Sequence, residues 1–531
     1  MFILLQAACG KPQVSASSPN TFESNTTTAT SDDHCALPPP WLLISLFFLA
    51  LLPLTVWYVL HHPDERHYTD AGIAMVQSGD LLTPRRADGS LRFNKPILSY
   101  WLVAGSYWLL GISPFASRFP FLLAGCATVF ATYRLGKLLG ESEASGRWAA
   151  LVAMGNLQVI LASTRSIPDI LLCLFVTVSC FGFLSIIFFD RRSWQVYGCA
   201  YIGLGLAIAS KGVPAVIVVG AVVSCAMLSN VFVRREEWNF GQLVHIPAIA
   251  WGALIAGGWF VLMYSVHGHV ALSQFAQDQV GVRFEATVSR RLYHFAIFLG
   301  WCAPIGLPWM LPVALNKIER HGASRRCVAF ASTPAASAVP LSRGQRRRAI
   351  TTTIIAAVLL VAAATSFCNF ISSRYILPVV PLCASVIGVA LAGVSRELVH
   401  KTFRPILLIG LGTLVMVAGA LVIANFQTGH VAAALICAIA AFGLVLTVTF
   451  RTFTAQKTHP AIDLGVLKMA ALPLVAMGLF HFMLPDDAQR ASATLSRDTT
   501  QRQEVQVIGK PSLASKLQVY RRGELALHNR Q

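Results

Sequence analysis

Charge is scarce in this sequence. Only 12% of its 531 residues are Asp, Glu, Lys or Arg, whereas 55% are hydrophobic, and acids are rarest, 24 against 42 Lys and Arg. Soluble domains carry about 25% charged residues, so the composition excludes a soluble globule and implies a polytopic membrane protein. Nucleotide and metal signatures are missing as well. There is no G-x-x-x-x-G-K-[ST] loop and no H-E-x-x-H, and the glycines of "GLGLAIASKG" (203–212) follow no strand, so they read as close packing within a span. A nucleotide-driven pump and a zincin are thereby excluded. The twelve cysteines form no C-x-x-C pair and sit mostly in apolar runs, so they read as small buried residues without a disulfide framework. The net charge of +18 is not gathered on a basic module with interleaved aromatics, which argues against a nucleic-acid partner.

What the chain has in abundance is long apolar runs. A helix needs about 20 such residues to cross the hydrocarbon core, and the runs predict spans near 41–60, 118–138, 148–165, 170–189, 196–210, 213–229, 245–266, 295–315, 350–367, 376–394, 406–425, 429–450 and 465–484. The segment 97–111, "ILSYWLVAGSYWLLG", is short and aromatic-rich, and suits a helix lying in the interface. If it does not cross, the connections 134–147, 190–195, 231–238, 316–349, 395–405 and 451–460 all fall on one side, and every one is basic. The positive-inside rule makes that side cytoplasmic and gives about thirteen spans, N-terminus in and C-terminus out. Residues 1–40 have a disordered, Ser/Thr/Asn-rich composition and are expected to be a cytoplasmic N-terminus. The membrane domain is expected over 41–484. The polar stretch 485–531, with strand-like "EVQVIG" and "LQVYRRG", is expected to be an external tail or small domain.

The chemistry must then come from polar residues on the outer side. "HHPDERHYTDAGIAMVQSGD" (61–80) presents Asp64, Glu65, Arg66 and His67 directly after a span. Tyr68, Ala71, Gly72, Met75 and Val76 recur at helical spacing, opposite Asp70 and Gln77, which predicts an amphipathic helix lying flat on the membrane. Taken alone, Asp64 and Glu65 read as an anionic first turn favoured by the helix dipole. A second acid, Asp169 in "STRSIPDI", falls on the same face; it reads either as a helix cap after Pro168 or as a site carboxylate. Cations at Arg85, Arg86, Arg92, Lys95, Lys211, Arg283, Arg290, Arg291 and Arg374 run against the topology rule, and guanidinium and ammonium groups match phosphate oxygens. Acids and phosphate-binding cations on a face with no nucleotide supply imply group transfer from a lipid phosphate, catalysed by placed charge.

The stretch "DERHYTDAGIAMVQSGDLLTPRRADGSLRFNKPILSYWL" (64–102), followed by "SPFASRFPFLLAG" (113–125), resembles the first external loop of the bacterial 4-amino-4-deoxy-L-arabinose lipid A transferases and their protein O-mannosyltransferase-like GT-C relatives. "SRYILPVVP" (373–381), "SKGVPA" (210–215) and "GLPW" (306–309) are similar to further elements of that family, and the ordered set covers roughly residues 41–394. The resemblance implies an all-α GT-C bundle of about thirteen transmembrane helices, with interfacial helices in the first external loop. It also implies catalytic acids Asp64 and Asp169, Lys95 as donor-phosphate ligand, Tyr68 as an active-site side chain, and Arg374 and Tyr375 near the lipid site.

Glu65, His67, Arg85, Lys211 and Arg283 complete the expected substrate-binding set. Two departures stand out: Asn94 occupies the place of a family Glu, and His67 occupies the Arg slot of the Asp-Glu-x-Arg-Tyr pattern. Some members bind a divalent metal through that Glu and a later loop His. Asn94 is a poor ligand and His294 lies at the far end of the loop, so no tightly bound metal or other cofactor is expected.

The expected function is an inverting glycosyltransferase of the bacterial inner membrane with its active site facing the periplasm. Its donor is a polyprenyl-phosphate-linked sugar, its acceptor is lipid A or another envelope glycolipid, and its surroundings are membrane lipids. Hexosyl transfer to protein Ser or Thr is the alternative within the same class. A lipid or sugar transporter is the alternative of another class, although the sequence shows neither inverted repeats nor mid-membrane acids in broken helices.

Overall fold

The computed structural model describes residues 37–56, 62–234, 240–281, 287–306, 309–324, 342–369, 371–427, 504–506, 516–517, 519 and 526–528. They are nearly all helical. The chain enters through α1 (Pro40–Leu51), extended by a short turn at Pro53–Val56, and then lays down α2 (Glu65–Ser78) and α3 (Leu98–Leu110). Helix α4 (Pro114–Gly140) follows, started by Ser113, whose side chain accepts from the Ala116 amide. Next come α5 (Glu143–Met154), α6 (Leu157–Ser163), α7 (Asp169–Phe189), α8 (Trp194–Lys211) and α9 (Val213–Arg234). The remainder is α10 (Ile246–His267), α11 (His269–Ala276), α12 (Val288–Gly306), α13 (Met310–Ser324), α14 (Arg343–Ser366), α15 (Val380–Leu391) and α16 (Arg396–Gln427).

Among the described residues, six helices are long and apolar enough to cross a membrane, or seven if the bent pair Val288–Gly306 and Met310–Lys317 counts as one. The predicted spans at 429–450 and 465–484 lie outside the described residues, as does the N-terminal segment through residue 36.

The predicted span at 148–165 is not one continuous helix. The run 148–165 is mostly apolar, but Asn156 breaks it by accepting from the amides of Gln158 and Val159, which caps a new helix in mid-run. In the C-terminal region, β1 (Glu504–Gln506) pairs in parallel with β2 (Ala526–His528). The first strand falls within "EVQVIG", whereas Lys516, Leu517 and Val519 around the start of "LQVYRRG" are helical.

Helix α7 forms the centre, with its whole apolar window buried against its neighbours. Close helix approach here depends on small residues, as expected where lipid supplies no hydrophobic drive between helices. A Cβ added at Gly182 would lie 2.3 Å from the Ala200 amide nitrogen, and one at Gly205 would lie 2.4 Å from the Gly252 carbonyl oxygen. Helix α2 shows the predicted amphipathic face: Tyr68, Ala71, Gly72, Ile73 and Met75 are buried. It rests on α3, with the Tyr68 and Tyr100 rings 5.1 Å apart, and α3 leaves Trp101, Trp108 and Leu109 exposed. This pair of helices delivers the first acid of the site.

Candidate active site

Asp64 stands at the N-terminus of α2, yet its side chain makes no capping bond. Its Oδ2 instead accepts from Arg374 Nη1 at 3.0 Å. Asp169 opens α7 in the same way, with no side-chain cap at Pro168 before it. Arg374 Nη1 also lies 3.7 Å from Asp169 Oδ2, and Lys211 Nζ donates to Asp169 Oδ1 at 2.5 Å. The result is an alternating ladder of charge: Asp64, Arg374, Asp169, Lys211. It grades in exposure from 45% at the Asp64 side chain to 3% at Asp169. Asp64 therefore turns away from the capping role that its position offers, and Asp169, one place past the cap position at Pro168, turns to Lys211.

Local backbone features aim these groups. Lys211 is the last residue of α8, and Gly212 turns the chain at φ +80° directly after it. A Cβ at that glycine would also meet the Phe275 ring at 2.8 Å, so the turn needs glycine for both conformation and space. Arg374 and Tyr375 lie on a 3₁₀ turn, Ser373–Val379, that leads into α15. Lys211 Nζ sits 5.9 Å from the centre of the Tyr375 ring.

Lys211, Arg374 and Tyr375 line a cleft whose other walls include Leu172, Val213, Val218, Val361, Pro378 and Gln279. Lys95 reaches the same neighbourhood through Asp278: it is ion-paired with that carboxylate, which accepts from Gln279 Nε2 at 2.7 Å. Asp278 and His62 are site residues that sequence reasoning missed. The available signal was an acid in an external loop facing an unbalanced Lys95. His62 lies beside Asp64, its Nδ1 accepting from the Asp64 amide at 3.1 Å.

Burial pushes the Asp64 carboxyl up, but the Arg374 charge, His62 and the Arg374 hydrogen bond together outweigh it and hold the group below its ordinary range. Burial and the neighbouring Arg92 and Arg66 charges push His67 down to about 4, so it is neutral at pH 7. Tyr68 is buried beside Tyr100, and burial drives its hydroxyl well above the usual phenol range, with the Asp169 and Asp64 charges adding to the effect.

The other expected residues fall in different places. Glu65 is not open to a ligand: its side chain is fully buried and bound by Arg118. Arg85 is exposed on the loop after α2, where it lies 3.8 Å from Asp80 and reaches the Gly89 carbonyl. Arg283 lies outside the described residues.

The donor set does not suit a divalent metal. Asn94 offers a buried Oδ1 that lacks a hydrogen-bond partner, but the adjacent cation is Lys95, and the acid at hand, Asp278, is engaged by that cation. Among the described residues no three His, Cys, Asp or Glu side chains are grouped to hold an ion.

Parts of the chain are similar to known proteins. Residues 94–259 match the family described as dolichyl-phosphate-mannose-protein mannosyltransferase. An undecaprenyl phosphate-alpha-4-amino-4-deoxy-L-arabinose arabinosyl transferase of Proteus mirabilis is 29% identical over 229 residues, 42% of this chain and 40% of that protein. Its counterpart from Yersinia enterocolitica is 26% identical over 302 residues, 53% of this chain and 51% of the relative. The chain thus spans about half the length of the curated relatives it matches. The crystal structure of ArnT from Cupriavidus metallidurans bound to undecaprenyl phosphate superposes with a TM-score of 0.67 at 15% identity, covering 92% of this chain and 85% of the other. In part of its sequence the chain is thus similar to the aminoarabinose and dolichyl-phosphate-mannose transferases, and its fold is that of the Cupriavidus metallidurans protein.

Proposed function

We propose that this protein is an inverting glycosyltransferase that moves a sugar from an undecaprenyl-phosphate-type donor to lipid A or another envelope glycolipid, at the periplasmic face of the bacterial inner membrane. The observation that carries the reading is the ladder of Lys211, Asp169, Arg374 and Asp64 at the edge of an apolar cleft. In this reading the chain crosses the membrane about thirteen times, with the basic loops inside. Helices α2 and α3 then lie in the outer interface.

A polyprenyl tail suits the apolar wall of the cleft, and its phosphate suits Lys211, Arg374 and Lys95 at the edge. The acceptor oxygen attacks the anomeric carbon from the side opposite the phosphate. The bond from that carbon to the phosphate oxygen breaks, and both electrons leave with the polyprenyl phosphate. The cations stabilise this growing negative charge, which is electrostatic catalysis by groups already in place. Asp64, ionised and with a depressed affinity for protons, is a weak base. That favours an acceptor already ionised, such as a phosphate, with Asp64 stabilising the positive charge that develops on the sugar ring.

Transfer of a hexose to protein Ser or Thr is a second reading, favoured by the family match over residues 94–259. In that reaction the hydroxyl proton would pass to Asp64.

The test is transfer by the purified chain in nanodiscs, supplied with undecaprenyl-phosphate aminoarabinose and either lipid A or a Ser/Thr-rich peptide plus a polyprenyl-phosphate hexose. A glycosylated lipid A and free undecaprenyl phosphate, both absent with Asp64→Asn, are expected. Product on the peptide alone selects the second reading, and no product on either rejects a transferase of this kind.

A further inference from the structure

Glu65 follows Asp64 in the sequence and opens α2, a position that suggests a second carboxylate facing substrate. Its side chain and that of Arg118 are both 0% exposed. Arg118 Nε donates to Glu65 Oε1 at 2.8 Å and its Nη2 to Oε2 at 2.7 Å. Ser166 donates to Oε1 from its amide at 2.8 Å and from its hydroxyl at 3.1 Å. The His62 amide donates to Oε2 at 3.0 Å, and Arg118 Nη1 reaches the Leu54 carbonyl at 3.0 Å.

Three pieces of chain therefore meet at one carboxylate, the turn that leads into α2, the start of α4 and the loop that carries the chain into α7, and Arg118 ties a fourth, the turn at 53–56, to the same cluster. Asp64 lies one residue before Glu65, and Asp169 lies three after Ser166. A charge pair this deep stabilises the fold little beyond what apolar side chains of the same size would supply, because desolvation offsets the attraction. What it adds is registry: a bidentate fork and a backbone amide can meet one carboxylate in only one arrangement.

We infer that Glu65, through Arg118 and Ser166, is a positioning residue that sets Asp64 against Arg374 and Asp169, and that it takes no part in binding substrate. The catalytic consequence rests on the transferase reading; the placement rests on geometry alone.

The test is the full-length Glu65→Leu/Arg118→Met double variant in nanodiscs, which replaces the pair by apolar groups and so removes charge from the interior in balance. It is expected to stay folded and to bind undecaprenyl phosphate within about threefold of the parent chain, since the two charges of the buried pair are removed together. Its kcat for sugar transfer is expected to fall about 100-fold with donor KM unchanged, the effect of a misplaced reacting group. In a cryo-EM structure of the variant, the Asp64–Arg374 contact, 3.0 Å here, is expected to open beyond about 4 Å, past ion-pair range. A folded variant that keeps this contact and its parent kcat overturns the inference. An inactive parent chain rejects the transferase reading, and the contact distance then decides the placement on its own. Should the double variant not fold, Glu65→Gln is read by the same distance and the same kcat, with the same outcome in each direction.

Discussion

Arg374 donates to Asp64 across 310 residues of sequence, and the bond is 3.0 Å long. The same guanidinium nitrogen stands 3.7 Å from Asp169, so one cation holds the two acids of the site together. Without it, two carboxylates would face each other on a partly buried surface, and each would resist ionisation.

Replacing Arg374 by Gln is therefore expected to raise the Asp64 pKa and to lower transfer by about 100-fold, the scale of losing one preorganised electrostatic partner. The pH profile checks the cause. Asp64 is held below its ordinary carboxyl range, so its ionised form, and any stability it contributes, is present above pH 3.8 and is lost only as the pH falls through the lowered folded value. The acid limb of the parent enzyme from this group should lie below pH 4, whereas in Arg374→Gln it should move upward. An unchanged limb would mean that Arg374 does not set the ionisation of Asp64.

Lys211 answers the buried charge of Asp169, whose side chain is 3% exposed. Lys211→Met removes the hydrogen-bonded partner of that carboxylate and leaves it only Arg374, 3.7 Å away, a loss on the order of 3 kcal/mol. Thermal unfolding in detergent should show the loss. The Lys211→Met/Asp169→Asn double variant should regain most of the stability and none of the transfer activity. Recovery of activity in the double variant would remove both residues from the chemistry.

His67 is held down to about 4 by burial and nearby arginines. An unfolded chain binds a proton at this residue near its ordinary value of 6.5, so the folded state loses stability as the pH falls from 6.5 towards 4 and keeps it in full above 6.5. His67→Gln is expected to flatten the stability slope between pH 6.5 and 4. Melting temperatures across that range decide the matter; an unaltered slope would assign the acid sensitivity elsewhere.

Gly212 places Lys211 by a turn at φ +80° against the Phe275 ring. Gly212→Ala is expected to cost about 1–3 kcal/mol and to weaken binding of undecaprenyl phosphate, because the strain falls on the residue next to Lys211. Binding measured alongside the melting temperature separates the two effects.

The helical face of α2, the short aromatic α3 and the pairing of Asp64 with Asp169 were legible from apolar spacing and from acids placed next to spans. The break within 148–165 was not, because one Asn side chain overrides a long apolar run, and only its two amide bonds show that it does so. Glu65 was misread for a related reason. Sequence shows an acid beside Asp64, but its fate depends on Arg118 and Ser166, which lie 53 and 101 residues away. A charged residue inside the apolar stretch "SPFASRFPFL" was the available signal for Arg118, since buried ionisable groups in spans are paired. Asp278 was missed because its partner, Lys95, lies 183 residues before it.

The central claim is that the acids at positions 64 and 169, with their cations, move a sugar from a lipid phosphate to an envelope acceptor. Mass spectrometry of lipid A from cells with and without this protein, with cells carrying Asp64→Asn as the control, tests it most directly. The account predicts a sugar-sized mass on lipid A that appears with the protein and vanishes with Asp64→Asn. The same added mass at full level in Asp64→Asn cells would contradict it.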